Sequence, residues 1–354
     1  MPGQGSKQSP DIDFVIMWVD GADPAVSEER TKAQAAEEIA GKRILDTPRR
    51  HRDNGELLFL LRSINAHMPW FRRIHIVTNG QRPAYVDLSS DTVRLVSHDR
   101  IFPSGAPTPS FNTFAIDSCV HEIEGLSEIF VRFSDDFFVG ASVSKAEFLG
   151  SDALGRCLVG ENIFAAPSGI THYEVLQENA IRFWQALRYL PFYNPVHAPQ
   201  LRHQRMMRQL VSRWPEWFDE TRRNRFRGRS DANTLFLYPY FSLFHGRRHD
   251  LNEIANERDA PGMVRLNEQS KRRLSVPQVM VGSPIDWRAR LNRIAAQPPR
   301  FFNVNDDMAD RPNPKDVSFV GERLCRMFPR PSPWEVNPDM FPGYARVAAG
   351  ATVR

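Results

Sequence analysis

Two adjacent aspartates, Asp135 and Asp136, stand in the stretch VRFSDDFFVG, with apolar residues on both sides. Unpaired charge is costly to bury, so two carboxylates within an apolar stretch need a compensating partner. Mg²⁺ and Mn²⁺ prefer oxygen ligands and commonly bind through one or two carboxylates together with substrate phosphates. We interpret the pair as a divalent-cation site facing a diphosphate; a turn or a helix cap is the plain structural alternative.

Two polar stretches in the first third of the chain have residue types suited to nucleotide binding. Asp20 and Gly21 follow the apolar run FVIMWV, where a carboxylate can bind a base, ribose or phosphate and glycine permits close approach. An Asx-type turn is the alternative for Asp20. The second stretch, RRHRDNGEL, combines arginines with a helix start, and a helix N-terminus favours anions. Asp53 and Glu56 have capping-box spacing, so capping is the alternative there.

Three stretches in the second half contain further candidates. His197 lies in the proline-punctuated segment YNPVHAPQ and is a candidate general base near neutral pH, or a plain surface residue. Arg227, in RFRGRSD, can clamp a phosphate through its planar guanidinium. Asp306 and Asp307, in VNDD, add carboxylates to the cation site or only end a strand.

The elements that position these residues alternate between short apolar strands and amphipathic helices. The strands are DFVIMWV, RIHIVTNG, VRLVSHD and EIFVRF, and the helices are DNGELLFLLRSINAHM and SFNTFAIDSCVHEI. This alternation predicts an α/β fold with a largely parallel sheet. Ligands bind at the carboxyl ends of strands in such sheets, and WVDG, TNG and SDD follow the first, second and fourth strands.

The second half has a less regular pattern that predicts mainly helices. RHQRMMRQLVSRWPEWF predicts one helix, with its arginines, Arg202 among them, mostly outward. DANTLFLYPYFSLFHG predicts an apolar helix kinked or ended at Pro239, and RFFNVNDD a short strand. The predicted division is a disordered segment 1–10, a nucleotide-sugar-binding part 11–150, a mainly helical part 151–325 and an extended or disordered proline-rich tail 326–354.

Composition excludes several classes of protein. Among 354 residues, 41% are hydrophobic and 25% charged, as in soluble globular proteins. No run approaches the roughly 18 apolar residues of a membrane span, and the N-terminus lacks the apolar region of a secretory signal. Three separated cysteines without a CxxC motif argue against disulfides or zinc and favour a reducing cytoplasm. The net charge of +4 and the arginine clusters suit phosphate or acidic polymers, or form a solvated basic face.

Taken together, four segments resemble the Stealth proteins. IDFVIMWVDGADP is similar to their first conserved region, and the stretch from RHRDNGELLFLL to RFSDDFFVG to their second. YNPVHAPQLRHQRMMRQL with RFRGRSDANTLFLYPYF resembles the third, and RFFNVNDD the fourth. The resemblance implies a Rossmann-like or GT-A-like nucleotide-sugar-binding sheet flanked by helices. It also implies transfer of a sugar-1-phosphate, such as an N-acetylhexosamine-1-phosphate, from a UDP-sugar to an acceptor hydroxyl, with release of UMP.

The resemblance also implies roles for residues at matching positions. His197, Asp136 and Arg227 are the expected catalytic residues, and Asp135, Asp136 and Asp306 the expected ligands of Mg²⁺ or Mn²⁺. The expected substrate-binding residues are Asp20, Gly21, Arg52, Asp53, Asn54, Asn79, Asp231 and Asn305. His197 is expected either to accept the proton of the acceptor hydroxyl or to stabilise developing charge. Ser134 departs from the family, which often has asparagine before the two aspartates.

Two other functions remain open from the sequence. A metal-dependent glycosyltransferase would share the fold and the carboxylates but release UDP. A non-catalytic polyanion binder would use the arginine clusters, although the acidic clusters would repel nucleic acid. The resemblance favours a bacterial cytoplasmic enzyme of capsular or other cell-surface polysaccharide synthesis, with a nucleotide-sugar donor and a saccharide acceptor. The basic surface would hold the anionic product or contact an anionic membrane. Oligomeric state, donor sugar and linkage stay open.

Overall fold

A computed structural model describes residues 10–41, 44, 51–149, 157–165, 171–246, 263–265 and 276–350. All but the last residue of the segment 1–10, predicted to be disordered, lies outside the described residues. The strands are β1 Ile12–Met17, β2 Ile74–Thr78, β3 Val93–Ser97, β4 Ile129–Ser134, β5 Phe137–Val139, β6 Cys157–Asn162, β7 Tyr193–Pro195, β8 Gln200–His203, β9 Met263–Arg265, β10 Gln278–Val281 and β11 Phe301–Asp306.

The helices are interspersed with these strands along the chain. They are α1 Pro24–Ile39, α2 Glu56–His67, α3 His98–Ile101, α4 Thr113–Asp117, α5 Lys145–Leu149, α6 Thr171–Leu187, α7 Gln204–Arg213, α8 Pro215–Arg223, α9 Thr234–Gly246, α10 Trp287–Ala296 and α11 Pro314–Met327. Within the described ranges, no helix has the length and apolar character to span a membrane.

The central sheet has the strand order β3-β2-β1-β4-β8. Its first four members run parallel, and β8 runs antiparallel to β4. Successive side chains of β1 enter different cores: Phe14 and Ile16 lie in one hydrophobic cluster and Val15 in the other. Burial on both faces explains why these strands read as continuous apolar runs. The predicted α/β fold with a largely parallel sheet is confirmed.

A second sheet, of order β10-β11-β5, forms where the chain leaves the central sheet. The chain turns at Asp135 and Asp136 and continues at once as β5, which pairs antiparallel with β11. Phe138 and Phe302 stack across this pair with ring centroids 5.2 Å apart. A third sheet has the order β7-β6-β9. Strands from both halves therefore pair beside the aspartates, while the predicted boundary at residue 150 stays a prediction.

Two sequence predictions about local structure are wrong, and a third is wrong in one of its alternatives. SFNTFAIDSCVHEI forms the short α4 and a 3₁₀ turn, Val120–Glu122, where one helix was expected. RHQRMMRQLVSRWPEWF forms the end of β8, then α7 and α8, with Arg202 fully buried in β8. Helix α9 continues through Pro239, so of the two expected alternatives the end is wrong and the kink stays a prediction.

The proline-rich tail is packed against the rest of the protein, in contrast to the extended or disordered chain expected from its composition. Trp334, Phe341 and Tyr344 are buried in the same hydrophobic cluster as α2. Arg62 of α2 donates from Nε and Nη2 to the two carboxylate oxygens of Glu335, at 2.8 and 2.7 Å. These contacts hold the end of the described chain against the helix that begins at the candidate site.

Candidate functional site

The candidate site lies at the carboxyl edge of the central sheet, where three strands end in polar residues. At the end of β1, Asp20 accepts at Oδ1 from the backbone N–H of Ala22, at 2.9 Å. After β2, Asn79 accepts at Oδ1 from the backbone N–H of Gln81, at 3.3 Å. The Gln81 side chain in turn bonds the backbone N–H and carbonyl of Asp20, at 3.0 and 2.9 Å. Gln81, which the sequence analysis missed, therefore ties these two strand ends together.

Gly21 permits a close approach, but the approaching group is another part of the chain. Its backbone N–H donates to the His51 carbonyl at 2.5 Å. A Cβ atom at position 21 would lie 2.4 Å from that same oxygen. Glycine is therefore required here to bring the segment before Arg52 beside the end of β1, a reason different from the expected approach to a nucleotide.

The loop from Arg52 to Gly55 leads into α2 and places two acids in the site. Asp53 accepts from the Gly55 N–H at 2.8 Å and from the Tyr85 hydroxyl at 2.9 Å. Glu56 accepts from the backbone N–H and the side-chain amide of Asn54, at 2.7 and 3.0 Å. The N-cap is Gly55, with φ 85°, so the capping-box alternative for Asp53 is wrong in its detail.

Several acidic side chains lie close together at this edge of the sheet, and their pKa values are raised. Burial, followed by repulsion from Asp135 and Asp20, raises the pKa of Asp53 to about 7. Burial raises the pKa of Asp135 to about 6, and burial with repulsion from Asp135 raises that of Asp136 to about 8. Burial also raises the pKa of Glu56 well above its ordinary value. The site therefore concentrates acidic groups whose charged forms are disfavoured without a partner, and a bound cation would stabilise those charged forms.

Asp306 reaches this region but is engaged by protein groups. Its Oδ2 lies 3.1 Å from Arg52 Nη1 and accepts from Asn54 Nδ2 at 3.0 Å. Its Oδ1 accepts from the backbone N–H of Met308 at 2.9 Å. The side chain is 7% exposed. Arg52, Asn54 and Asp306 thus form a closed set that joins the α2 loop to β11, an arrangement that does not suit Asp306 as a metal ligand.

Two asparagines on one face of β11 hold two of the predicted catalytic residues. Asn305 donates from its amide to Oδ2 of Asp136 and accepts at its own oxygen from Gln278. Two positions earlier, Nδ2 of Asn303 lies 2.7 Å from Nδ1 of His197. Asn305 was expected to bind substrate, but here it orients a carboxylate. Asn303 is not among the residues predicted from the sequence. It lies two residues before Asn305, a spacing that puts both side chains on the same face of a strand, and this spacing is the signal in the sequence that could have identified it.

His197 lies between β7 and β8 and is exposed. The ring of Phe137 packs against it edge to face, with centroids 4.6 Å apart. The surrounding protein, with the positive charges of Arg132, His172 and Arg227, lowers the pKa of His197 to about 3. The imidazole is therefore neutral at physiological pH, and Arg227 is close enough to act on it electrostatically.

Asp231 organises the loop that carries Arg227. It is buried, and it accepts from Asn112 Nδ2, Asn224 Nδ2 and the Gly228 N–H, each at 2.7 Å. Burial raises its pKa to about 6. The Arg227 guanidinium lies 5.1 Å from the centroid of the Phe114 ring. Asp231 was expected to bind substrate, but its carboxylate is occupied within the loop.

A buried ionic network behind the two aspartates was missed by the sequence analysis. Asp117 bonds Arg132 Nε at 3.0 Å and Arg202 Nη2 at 2.9 Å, and both guanidinium groups are almost fully buried. Arg132 also donates to the Ser134 hydroxyl at 2.7 Å, next to the aspartate turn. The signal was an arginine inside the otherwise apolar strand IFVRF.

The residues present fit a divalent cation at Asp135 and Asp136. Within the described residues, no three His, Cys, Asp or Glu side chains form a group able to hold a metal ion by themselves. Mg²⁺ and Mn²⁺ commonly use one or two carboxylates and complete their shell with substrate phosphates, so a pair is sufficient. The raised pKa values of both groups fit a shared cation. Asp306 does not fit, because Arg52 already pairs with it.

Three solved or curated proteins illustrate what the chain is similar to. An exopolysaccharide phosphotransferase of Streptomyces coelicolor is 29% identical over 92% of this chain and 52% of its own length. One of Lactiplantibacillus plantarum is 26% identical over 69% of this chain and 82% of its own. The solved galactosyltransferase LgtC, bound to donor and acceptor sugar analogs, matches with a TM-score of 0.42 and 12% identity, over 92% of this chain and 98% of its own.

The chain spans about half the length of the first of these curated relatives. Family models match two of the four expected regions: Stealth protein CR2, conserved region 2, over residues 50–156, and Stealth protein CR3, conserved region 3, over residues 196–244. The second region includes the α2 loop and the aspartate turn, and the third includes His197, Arg227 and Asp231. The chain therefore carries two of the conserved regions of the Stealth proteins.

Proposed function

We propose that the protein transfers a sugar-1-phosphate, such as an N-acetylhexosamine-1-phosphate, from a UDP-sugar to a hydroxyl of an acceptor saccharide, and releases UMP. The observation that carries this proposal is the pair Asp135 and Asp136 at the end of β4, crowded by further acids and suited to a cation that binds a diphosphate. The names of the curated relatives, exopolysaccharide phosphotransferases, support the same reaction class.

Transfer requires one bond to form and one to break at phosphorus. The acceptor hydroxyl oxygen attacks the phosphorus next to the sugar, and the bond from that phosphorus to the bridging oxygen breaks. The electron pair leaves with UMP, the hydroxyl loses its proton, and a phosphodiester forms. The bond between the anomeric carbon and its oxygen stays intact, so the anomeric configuration is kept.

Charge neutralisation and alignment are the main tasks of the protein in such a reaction. Asp135 and Asp136 would hold Mg²⁺ or Mn²⁺, which when bound supplies positive charge for the diphosphate and the departing UMP. Asn305 holds the carboxylate of Asp136 by a hydrogen bond from its amide. Arg132, through Ser134, fixes the strand end just before the turn, at 2.7 Å. These contacts preorganise the pair before substrate binds.

Arg227 and His197 would act on the transferring phosphoryl group. Arg227 is near enough to His197 to lower its pKa, so the two side chains share one part of the site. A guanidinium there neutralises phosphoryl oxygens through its fixed fork of N–H donors. His197, which is exposed, would act in the same region. The acceptor hydroxyl would enter from this side, opposite the cation pair.

The acceptor would be a capsular or other cell-surface saccharide, and the product a polymer with negative phosphodiester groups. Exposed arginines on and beside α7 and α8 provide a basic face for such a product; they are Arg205, Arg208, Arg213, Arg223 and Arg229. The same face would suit an anionic membrane surface. A polysaccharide role places the enzyme with a nucleotide-sugar donor on the cytoplasmic side of a bacterial cell membrane.

The test is to identify the released nucleotide. The purified protein is incubated with a panel of UDP-sugars, beginning with UDP-N-acetylglucosamine, together with Mg²⁺ and a pool of oligosaccharide acceptors. UMP together with phosphorus in the saccharide product is the expected result. UDP with a phosphorus-free product would mean glycosyl transfer at the anomeric carbon, and the proposed reaction would be wrong.

A further inference from the structure

The hydrogen bond to Nδ1 of His197 comes from an amide nitrogen. Nδ2 of Asn303 lies 2.7 Å from that ring nitrogen. An amide nitrogen carries two donor hydrogens and does not accept, so Nδ1 must be the acceptor. A neutral imidazole has one protonated and one bare nitrogen. With Nδ1 bare, the proton of the neutral ring lies on Nε2.

The position of Asn303 is fixed by the sheet. Asn303 and Phe137 are directly opposite each other in the antiparallel pair of β11 and β5. Asn303 is fully buried, and its backbone N–H donates to the carbonyl of Pro277 at 3.2 Å. Phe137 contacts the same His197 ring edge to face, at 4.6 Å. One cross-strand pair thus supplies both the hydrogen bond and the aromatic wall that orient the imidazole.

The charges that face His197 favour the neutral ring. Burial lowers the pKa of the histidine to about 3, and Arg132 from β4, His172 from α6 and Arg227 from the loop before α9 add to this effect by repelling a positive charge on the ring. Within the part of the chain that the structure describes, Nδ1 has the Asn303 amide as its partner and Nε2 has none, and the residue as a whole is exposed. The N–H at Nε2 is therefore available to a ligand.

We propose that Asn303 is a positioning residue that sets the tautomer of His197, so that Nε2–H donates a hydrogen bond to the transferring phosphoryl group and does not act as a base. The part of this inference that concerns the phosphoryl group rests on the proposed sugar-phosphate transfer. The part that concerns the tautomer of His197 does not depend on it. A neutral imidazole that donates to developing negative charge is an established catalytic arrangement in other folds. His197 keeps its proton throughout the transfer, and the proton of the acceptor hydroxyl passes to water.

The direct test is the tautomer itself, measured by ¹⁵N NMR on protein labelled at histidine nitrogens. His197→Gln identifies the signals by their loss. The expected result is a protonated Nε2 and a bare Nδ1 at pH 7, unchanged on acidification to pH 5. A protonated Nδ1 with a bare Nε2 would overturn the proposal, because the amide of Asn303 would then accept through its oxygen and leave Nε2 as a base. This measurement needs no substrate, so its outcome is independent of whether UMP is released.

A variant tests the consequence for the reaction. Asn303→Asp places a carboxylate beside Nδ1, and an ionised carboxylate can only accept hydrogen bonds. The substitution should therefore move the ring proton to Nδ1, leave Nε2 without a proton and raise the pKa of His197. We expect kcat to fall about 10²-fold, the usual effect of losing one donor to transition-state charge, with the KM for the donor little changed. Asn292→Asp, on the exposed face of α10, is the matched control and should retain activity.

Two observations together would overturn the role of His197 as a hydrogen-bond donor. The Asn303→Asp enzyme would be more active than the native enzyme, and its rate would depend on a group whose pKa lies above that of the native histidine. That behaviour would identify Nε2 as a base strengthened by the new carboxylate. A folded Asn303→Asp protein in which the proton stays on Nε2 would also overturn it, because Asn303 would then not control the tautomer.

Discussion

Arg52 and Asp306 form an ion pair, with Nη1 and Oδ2 3.1 Å apart, between the loop before α2 and the end of β11. The arginine also donates from Nη2 to the Ala309 carbonyl at 2.9 Å. Both side chains are therefore engaged by other parts of the protein. This pairing engages Asp306 with protein groups, whereas the sequence pattern VNDD suggested that it shares a metal site with Asp135 and Asp136.

The first prediction distinguishes these carboxylates by cation binding. Asp136→Asn should weaken Mn²⁺ binding in the presence of UDP by at least about tenfold, because a neutral amide is a poorer partner for the cation. Asp306→Asn should leave Mn²⁺ affinity within about twofold of the native value, since its oxygens serve Arg52 and the loop. Electron paramagnetic resonance of free Mn²⁺ gives both affinities. Equal losses in the two variants would return Asp306 to the metal site.

The second prediction concerns the buried network of Asp117, Arg132 and Arg202. Asp117→Asn should lower the free energy of unfolding by about 3–5 kcal/mol, because it leaves two buried guanidinium groups without a carboxylate. Urea unfolding followed by circular dichroism measures the change. Asp219→Asn, an exposed acid on α8, is the control, with an expected change within about 1 kcal/mol. A loss below that value for Asp117 would show that the network contributes little.

The same network predicts a pH dependence of stability. Burial alone would raise the pKa of Asp117, but Arg202 and Arg132 lower it to about 2. A carboxylate whose pKa is lowered in the folded protein stabilises the fold. This stabilisation is complete when the pH is above the ordinary pKa of aspartate, near 3.9, and is lost as the pH falls through about 2. Between pH 4 and pH 2 the native protein should therefore lose more stability than Asp117→Asn does. Parallel curves for the two proteins would contradict this assignment.

The third structural prediction tests the packed C-terminal segment. Glu335→Ala leaves Arg62 buried without its carboxylate and should cost about 3–5 kcal/mol of unfolding free energy. Glu322→Ala breaks an exposed pair with Arg323 on α11 and should cost at most about 1 kcal/mol. Chemical unfolding of the two variants side by side gives the comparison. Similar small effects would mean that the segment after α11 is loosely held.

The last of these predictions concerns the loop that carries Arg227. Asp231→Ala removes the acceptor for Asn112, Asn224 and the Gly228 N–H, so the loop should lose its alignment. We expect kcat/KM for the UDP-sugar to fall about 10²-fold, as displacement of an aligned group commonly causes. Glu216→Ala, at an exposed position in the first turn of α8, is the control and should be near native. Native activity in Asp231→Ala would remove this loop from the site.

Much of the central sheet was predictable because its strands carry their own signal. β1, β2, β3 and β4 are apolar runs that end in turn residues, and a parallel sheet covered on both faces requires that pattern. The position of the site followed from the same rule, since the polar ends of parallel strands meet at one edge. The aspartate turn lies where this reasoning placed it.

The errors arise where tertiary contacts override local pattern. The spacing of the arginines predicts that Arg202 faces outward on a helix. Instead it lies in β8 opposite Phe130 and is buried against Asp117. The sequence around Arg202 does not reveal this distant contact. The tail reads as disordered from its prolines, but Glu335 has a buried partner far away in α2. The roles of Asn303 and Asn305 depend on the pairing of β11 with β5, a contact set by the fold of distant segments.

The most direct test of the account follows one oxygen atom. A UDP-sugar is labelled with ¹⁸O at the oxygen that bridges the anomeric carbon and phosphorus. It is turned over in the presence of an acceptor, and mass spectrometry locates the label. Sugar-1-phosphate transfer at the Asp135 and Asp136 pair predicts the label in a phosphodiester product, with unlabelled UMP released. Label recovered in UDP would show that the anomeric bond had broken, and the proposed reaction would be contradicted.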